Sequence, residues 1–243
     1  MKISNKILCI IPARNGSTGL PNKNIKNLLG KPLIEWSIDA ALKSRLISKI
    51  VISTDSKQVI KICNKKKYYN KIDVPFKRPR GISGNNSPIS KTIIHALNYY
   101  KKKQEEFDYI VLLEPTSPIR FKNDIDNAIK KFLIKNFFFD GLVSIGEVKT
   151  NPYLFKSLVK NKIKNLFNLK NKNLNRQNLK KIYFPFGVIY LSKVNAYLKN
   201  KTFYNNKTMF YKIKTNQCYE IDDIYDFHCV EAIMKKIGKL WNF

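Results

Sequence analysis

Histidine and cysteine are too few and too scattered in this chain to build a zinc site. The two histidines, His95 and His228, and the four cysteines, Cys9, Cys63, Cys218 and Cys229, include no CxxC pair, so reduced cytosolic thiols are expected. No stretch approaches the roughly 18 apolar residues that a membrane-spanning helix needs. The apolar run near the N-terminus is too soon interrupted by Pro12 and Arg14 to serve as a signal peptide. A soluble cytoplasmic protein with no membrane partner is therefore expected. Acidic residues are scarce as well, with 17 Asp and Glu against 46 Lys and Arg, a net charge of +29. Such an excess ordinarily points to nucleic acid. Here it comes mostly from Lys mixed with Asn along the whole chain, as in Lys65-Lys66-Lys67 and Lys170-Asn171-Lys172-Asn173, without an Arg-rich stripe interleaved with aromatics. Solvated faces follow, with no nucleic-acid partner, and a positive field that draws in anionic substrates. Internal repeats and linkers are also missing.

What is present is enough for a full core. With 243 residues, 44% apolar and 12% aromatic, the chain suits one compact domain with an insertion. Ile7 to Ile11 is a continuous apolar run ending in Pro and a polar loop, which predicts a buried parallel strand. Pro32 to Leu42 has apolar residues at helical spacing, and Ile50-Val51-Ile52 ends in Ser53-Thr54-Asp55, completing a βαβ unit. Ser90 to Tyr100 predicts another helix, Tyr109 to Leu113 another strand ending in Glu114-Pro115-Thr116-Ser117-Pro118, and Asp124 to Ile134 a further helix. Parallel strands put their carboxyl ends on one edge, so the polar loops after these three strands should meet there. A strand over Leu142 to Ile145 precedes a stretch, Tyr153 to Leu179, with little helical period, read as β-ribbon or loop. Gly187 to Leu191 rejoins the sheet, followed by a short helix near Val194 to Leu198 and a terminal helix from about Asp223 to Lys236.

Arg14-Asn15-Gly16-Ser17-Thr18-Gly19-Leu20-Pro21-Asn22-Lys23-Asn24 joins two glycines, two hydroxyls and two cations directly after a strand. Phosphates need closely approaching backbone N–H donors and cations that neutralise the charge growing on a leaving group, and this segment supplies both. It is neither a Walker loop nor a GxGxxG fingerprint. Late in the chain, Glu220 and Asp222 stand two residues apart, so on a strand both would point to one face, and hard carboxylate oxygens of that kind suit magnesium. Asp223 and Asp226 instead suit the start of the terminal helix, where negative charge offsets the helix dipole.

Ile11-Pro12-Ala13-Arg14 through Lys23-Asn24, Gly30 to Ile34 and Val51 to Asp55 closely resemble the acylneuraminate cytidylyltransferases, the CMP-sialic acid synthetases and their bacterial relatives. Arg78-Pro79, His95-Ala96-Leu97, Leu112 to Arg120, Arg176-Gln177, Gly187 to Tyr190 and Glu220-Ile221-Asp222 extend the resemblance over nearly the whole chain. The resemblance implies an α/β, doubly wound, mainly parallel sheet in a single domain over 1–243, with a small β-rich dimerisation insert at about 146–180. It also implies Mg2+-dependent transfer of CMP from CTP to the anomeric hydroxyl of an acidic nine-carbon 2-keto-3-deoxy sugar, with release of pyrophosphate, by a homodimer. Carried over by position, Arg14 and Lys23 are the catalytic cations on the triphosphate. Ala13, Arg14, Asn15, Gly16, Ser17, Lys23, Asn24 and Arg78 bind the nucleotide. Glu114, Thr116, Ser117, Arg176, Gln177 and Phe186 lie toward the sugar, with Arg176 and Gln177 near the sugar or the dimer contact, and Glu220 and Asp222 hold the metal.

Several positions depart from the family pattern. Thr18 stands where Lys is usual, Glu114 where Gln is usual, Phe186 where Asn is common and Glu220 where Asp is more usual; Asn85 and Asn86 replace acids, and Ile89 lies near an expected hydroxyl residue. A carboxylate at 114 would repel a substrate carboxylate 4 Å away by about 4 kcal/mol at an effective dielectric constant of about 20. Glu114 must therefore face hydroxyls, an amine or a cation. Phe186 implies a more apolar sugar pocket. The competing readings are a related nucleotidyltransferase using 3-deoxy-octulosonate or GTP, and a catalytically weakened basic binding protein.

Overall fold

A computed structural model describes residues 5–68, 70–148, 150–167 and 180–241. Six strands form the central sheet: β1 (Ile7–Pro12), β4 (Lys49–Ser53), β5 (Tyr109–Leu112), β6 (Gly141–Glu147), β9 (Tyr183–Lys193) and β10 (Thr208–Lys212). Their spatial order is β10-β6-β9-β5-β1-β4. Neighbours pair in parallel except β9, which runs antiparallel to both β5 and β6. The sheet is thus mainly parallel, as expected, with one reversed strand inside it. Two small ribbons complete the β structure, β2 (Asn27–Leu28) with β3 (Lys31–Pro32), and the hairpin β7 (Lys156–Val159) with β8 (Lys162–Asn165). The hairpin falls in the stretch expected to be ribbon or loop.

β1 explains why helices cover both faces. Its side chains alternate, with Ile7, Cys9 and Ile11 in one core and Leu8 and Ile10 in the other, all buried. The first core is closed by α1 (Leu33–Lys43), α2 (Lys57–Cys63) and α4 (Asp124–Lys135), through residues such as Ile38, Val59 and Phe132. The second is closed by α3 (Ile89–Lys102) and α5 (Val194–Asn200), through Ile93, Leu97 and Tyr197. Each fully buried aliphatic side chain contributes about 1.5–3 kcal/mol. A strand apolar on both faces cannot sit at a one-sided sheet, which is why this pattern gives a doubly wound fold.

A third cluster joins the chain ends. α6 (Ile224–Trp241) packs Phe227, Val230 and Met234 against Leu20, Leu28 and Ile119. Its start carries a reciprocal acidic cap: Asp226 N–H donates to Asp223 Oδ1 (2.9 Å), and Asp226 Oδ2 accepts from the Asp223 N–H (3.2 Å). Strand order reverses at β1, whose neighbours β4 and β5 lie to either side. The carboxyl ends of β1 and β5 therefore diverge into a crevice where such sheets bind ligands.

Candidate active site

Backbone contacts shape the loop after β1. Buried Ala13 donates its N–H to the Ser53 carbonyl at 2.9 Å, and its own carbonyl accepts from the Thr54 hydroxyl. The Asn15 N–H donates to Asp55 Oδ1 at 2.7 Å, and Asn24 Nδ2 donates back to the Arg14 carbonyl at 3.1 Å. Gly19 is where the loop meets the far end of the chain, since a Cβ there would collide with the backbone carbonyl of Asp222. The same junction is tied by Lys23, whose Nζ donates to the Ile221 carbonyl at 2.7 Å and pairs with Asp222 at 3.1 Å.

These segments frame a cleft of about 540 Å³. The loop contributes Arg14, Ser17, Thr18, Lys23 and Asn24; the turn after β5 contributes Glu114, Pro115 and Thr116; the segment before α6 contributes Glu220 and Asp222. Arg78, Ser87, Ile89 and Thr92 complete the wall, with the N-terminus of α3 among them. Among the described residues no side chain caps that helix end, so its first N–H groups and dipole favour an anion. Ser87 Oγ is buried there with no hydrogen-bond partner among the described residues.

Arg78 is buried, its guanidinium donating to Ser53 Oγ at 3.1 Å and to the Ser53 carbonyl. Burial pushes its pKa down to about 10, with Asp55 opposing and Arg14 adding repulsion. An Arg before Pro is ordinarily a solvated loop residue; here it is part of the cleft wall because the parallel bridge of Thr54 with Lys77 draws the segment onto the sheet.

Arg120 is buried under the other wall and spends its donors on four acceptors: the carbonyls of Val188 (2.7 Å), Glu114 (2.8 Å) and Gly187 (3.0 Å), and Ser37 Oγ (2.9 Å). It locks the turn after β5 to the start of the β9 core segment. Half-buried Glu114 lies over Gly187, where an added Cβ would strike its carboxylate. Burial and then the neighbouring Glu220 push the Glu114 pKa up to about 7, with Arg120 opposing. Glu220 is itself fixed, accepting from the Gly187 N–H at 2.6 Å and the Ser117 hydroxyl at 3.1 Å.

Of the residues expected at the site, Arg14, Ser17, Lys23, Asn24, Arg78, Glu114, Thr116, Glu220 and Asp222 line this one cleft. Asn15 and Gly16 line a smaller depression beside it. Ala13 and Ser117 are buried beneath it. Phe186 does not line the cleft; its ring packs against Gly146 and, edge-on at 5.4 Å, against Phe184. Arg176 and Gln177 lie outside the described residues. Glu220 and Asp222 are not on a strand, contrary to expectation. Among the described residues their segment has no ladder partner, and its one backbone-to-backbone bond is Ile221 N–H to the Thr116 carbonyl at 2.8 Å, yet both residues still line the same cleft. Among the described residues no group of three or more His, Cys, Asp or Glu could hold a metal.

Sequence reasoning passed over Ser87, Thr92 and Arg120. Ser87-Pro88 before a helical run was a readable signal for a helix start; nothing local marks Arg120 as buried.

Residues 8–237 match the family model described as cytidylyltransferase. An N-acylneuraminate cytidylyltransferase of Streptococcus agalactiae is 34% identical over 224 residues, 91% of this chain and 52% of that protein. The chain thus spans about half the length of such relatives. A CMP-N,N'-diacetyllegionaminic acid synthase of Legionella pneumophila is 32% identical, covering 95% of this chain and 97% of its own. Among solved structures, a CMP:2-keto-3-deoxy-manno-octonic acid synthetase complexed with CTP superposes with a TM-score of 0.67 at 15% identity, covering 96% of this chain and 100% of that one, a likeness of fold. Matched over nearly its whole length, the chain belongs to the cytidylyltransferase family.

Proposed function

We propose that this chain transfers CMP from CTP to the anomeric hydroxyl of a nonulosonic, sialic-acid-like 2-keto-3-deoxy acid, releasing pyrophosphate, for cell-surface glycan synthesis in the cytoplasm. The observation that carries this is the convergence of Arg14, Lys23 and Arg78 with Glu220 and Asp222 in one cleft at the switch point of the sheet. The names of the Streptococcus and Legionella relatives support the acceptor class.

In the transfer the anomeric oxygen forms a bond to the α-phosphorus while the bond from that phosphorus to the bridging oxygen breaks, and the hydroxyl proton passes to water. Negative charge grows on the departing pyrophosphate, where Lys23 and Arg14 offset it. Lys23 is already aimed by the Ile221 carbonyl and Asp222. Asp222 is largely exposed, so its pair with Lys23 is weak and a triphosphate displaces it. The loop from Ala13 to Ser17, with Asn24 and Arg78, holds the nucleotide; Glu114, Thr116 and Ser117 lie toward the sugar.

Glu220 and Asp222 fit Mg2+ by donor chemistry, since that ion takes one or two carboxylates and fills its remaining positions with phosphate oxygens and water. When bound, it supplies positive charge to the phosphate oxygens. We place the whole of 1–243 in one nucleotidyltransferase domain whose insert, about 146–180, makes a homodimer. Exposed Phe155, Leu158, Ile163 and Phe167 on and beside the β7–β8 hairpin support that role.

The test is pyrophosphate release with Mg2+ from CTP, GTP, UTP and ATP, each against neuraminic, legionaminic, pseudaminic and octulosonic acids. Release with CTP and a nonulosonic acid is expected. Turnover with GTP alone, or with octulosonate alone, would replace the proposed substrates. Silence across the panel with salt-sensitive binding to nucleic acid would overturn the enzyme reading.

A further inference from the structure

We infer that Asn85 is a positioning residue for Arg14, holding its guanidinium at the cleft through a neutral acceptor and so leaving its charge to the triphosphate. This rests on the cytidylyltransferase reading above and adds a residue to its nucleotide site.

Arg14 and Asn85 come from different walls. Arg14 lines the cleft from the loop after β1, and its backbone is fixed there, since its carbonyl accepts from Asn24 Nδ2 and the following N–H donates to Asp55. Asn85 belongs to the turn before α3. The Ser87 N–H closes that turn on the Gly84 carbonyl at 3.1 Å, which puts Asn85 and Asn86 at its two central positions. Gly84 and Ser87 both line the cleft. From between them Asn85 Oδ1 accepts a hydrogen bond from Arg14 Nη1, although the two residues stand 71 positions apart in the chain.

An Arg side chain left free on a loop has to be ordered when its ligand arrives, and that ordering costs affinity. Asn85 orders it beforehand with one donor of the guanidinium and leaves the rest of the fork for phosphate oxygens. It also opposes the repulsion from buried Arg78, which feels the Arg14 charge and would drive an unheld side chain outward. The neutrality of the holder matters as much as its place. Lys23 is paired with Asp222, and Arg78 is bound to Ser53. Thr18, on the same loop and lining the same cleft, carries no charge. Among the described residues Arg14 makes no ion pair, so its charge faces the triphosphate uncompensated. A carboxylate at position 85 would form an ion pair that the triphosphate has to break; the amide oxygen fixes direction without that competition.

The experiment measures calorimetric binding of CTP and of CMP, with Mg2+, to the whole chain and to Asn85→Ala, Asn85→Asp, Arg14→Ala and the Arg14→Ala, Asn85→Ala double variant. Pyrophosphate release is followed in parallel. Asn85→Ala should weaken CTP binding by roughly three- to tenfold, the range for one side chain that must be ordered on binding. CMP, which lacks the leaving phosphates, should bind within about twofold of the parent, and in the Arg14→Ala background Asn85→Ala should change CTP binding by less than about twofold. Asn85→Asp should bind CTP more weakly than the parent at low salt, the deficit narrowing as salt screens the new ion pair. Unchanged or tighter CTP binding by Asn85→Ala would overturn the inference, the tighter case making the bond a latch that CTP breaks. Equal weakening of CTP and CMP, or a loss that persists without Arg14, would assign Asn85 to the shape of the turn and overturn it as well. Asn85→Asp binding CTP as tightly as the parent would overturn the neutral holder. A parent chain that binds no CTP removes the cytidylyltransferase reading and this inference with it, whereas CTP turnover by the parent keeps that reading whatever the variants do.

Discussion

Lys23 and Glu114 are two charges of opposite sign whose settings differ. Lys23 is aimed by oxygens from almost 200 positions further along the chain, so its ammonium is placed before any substrate arrives. Lys23→Ala should therefore lower turnover roughly 10²–10³-fold, the range for removing one donor aimed at developing charge; pyrophosphate release measures it, and unchanged turnover removes Lys23 from the mechanism. For Glu114 the sign runs the other way. Its folded pKa of about 7 exceeds the ordinary 4.5, so the folded state holds the proton more tightly than the unfolded chain. The cost is absent below about pH 4.5 and grows as pH rises to about 7. In metal-free buffer Glu114→Gln should be more stable than the parent at pH 8 by on the order of 1–3 kcal/mol, with the gap closing toward pH 4. Paired denaturant titrations at the two pH values check this, and a gap independent of pH would sink it. The basic loop was legible from its residues because its chemistry is local. Glu114 was recognisable as a misfit, but its neighbours Glu220 and Gly187 come from distant segments.

The elements meet at junctions where glycine leaves room. Gly19→Ala would push a methyl into the Asp222 carbonyl, and backbone cannot give way as a flexible side chain does. Expected are a loss of about 1–3 kcal/mol of stability and at least a tenfold rise in the KM for CTP, because Lys23 loses its aim; calorimetric unfolding and steady-state kinetics read the two effects. If neither moves, the loop and the segment before α6 act independently. Helices and parallel strands were readable here because each carries its own period: α1, α3 and α4 begin and end within a few residues of the expected bounds. The direction of β9 was not readable, since a fully buried apolar run looks the same whichever way it runs. The placement of Glu220 and Asp222 also escaped the local pattern. Their i, i+2 spacing suits a strand, but strand character needs a ladder partner, and among the described residues the one backbone-to-backbone bond of this segment goes to Thr116.

Across the whole molecule, exposed apolar side chains gather on and beside the hairpin, where Leu158 is 81% and Ile163 70% exposed. If this insert forms the dimer, Leu158→Asp with Ile163→Asp should convert a dimer to a monomer in light scattering while leaving the folded core intact, since neither side chain touches it. A monomeric parent chain, or a double variant that stays dimeric, would move the contact elsewhere.

Sequence alone determined the parallel βαβ core, the basic glycine-containing loop after β1 and the family resemblance, because hydrophobic period, strand-to-loop order and short motifs are properties of neighbouring residues. The tertiary structure decided which distant groups meet: Lys23 with Asp222, Arg78 with Ser53, Arg120 beneath Glu114, and Glu114 beside Glu220. Electrostatic setting depends on burial and on charges a few ångströms away in space, and no spacing along the chain records that distance.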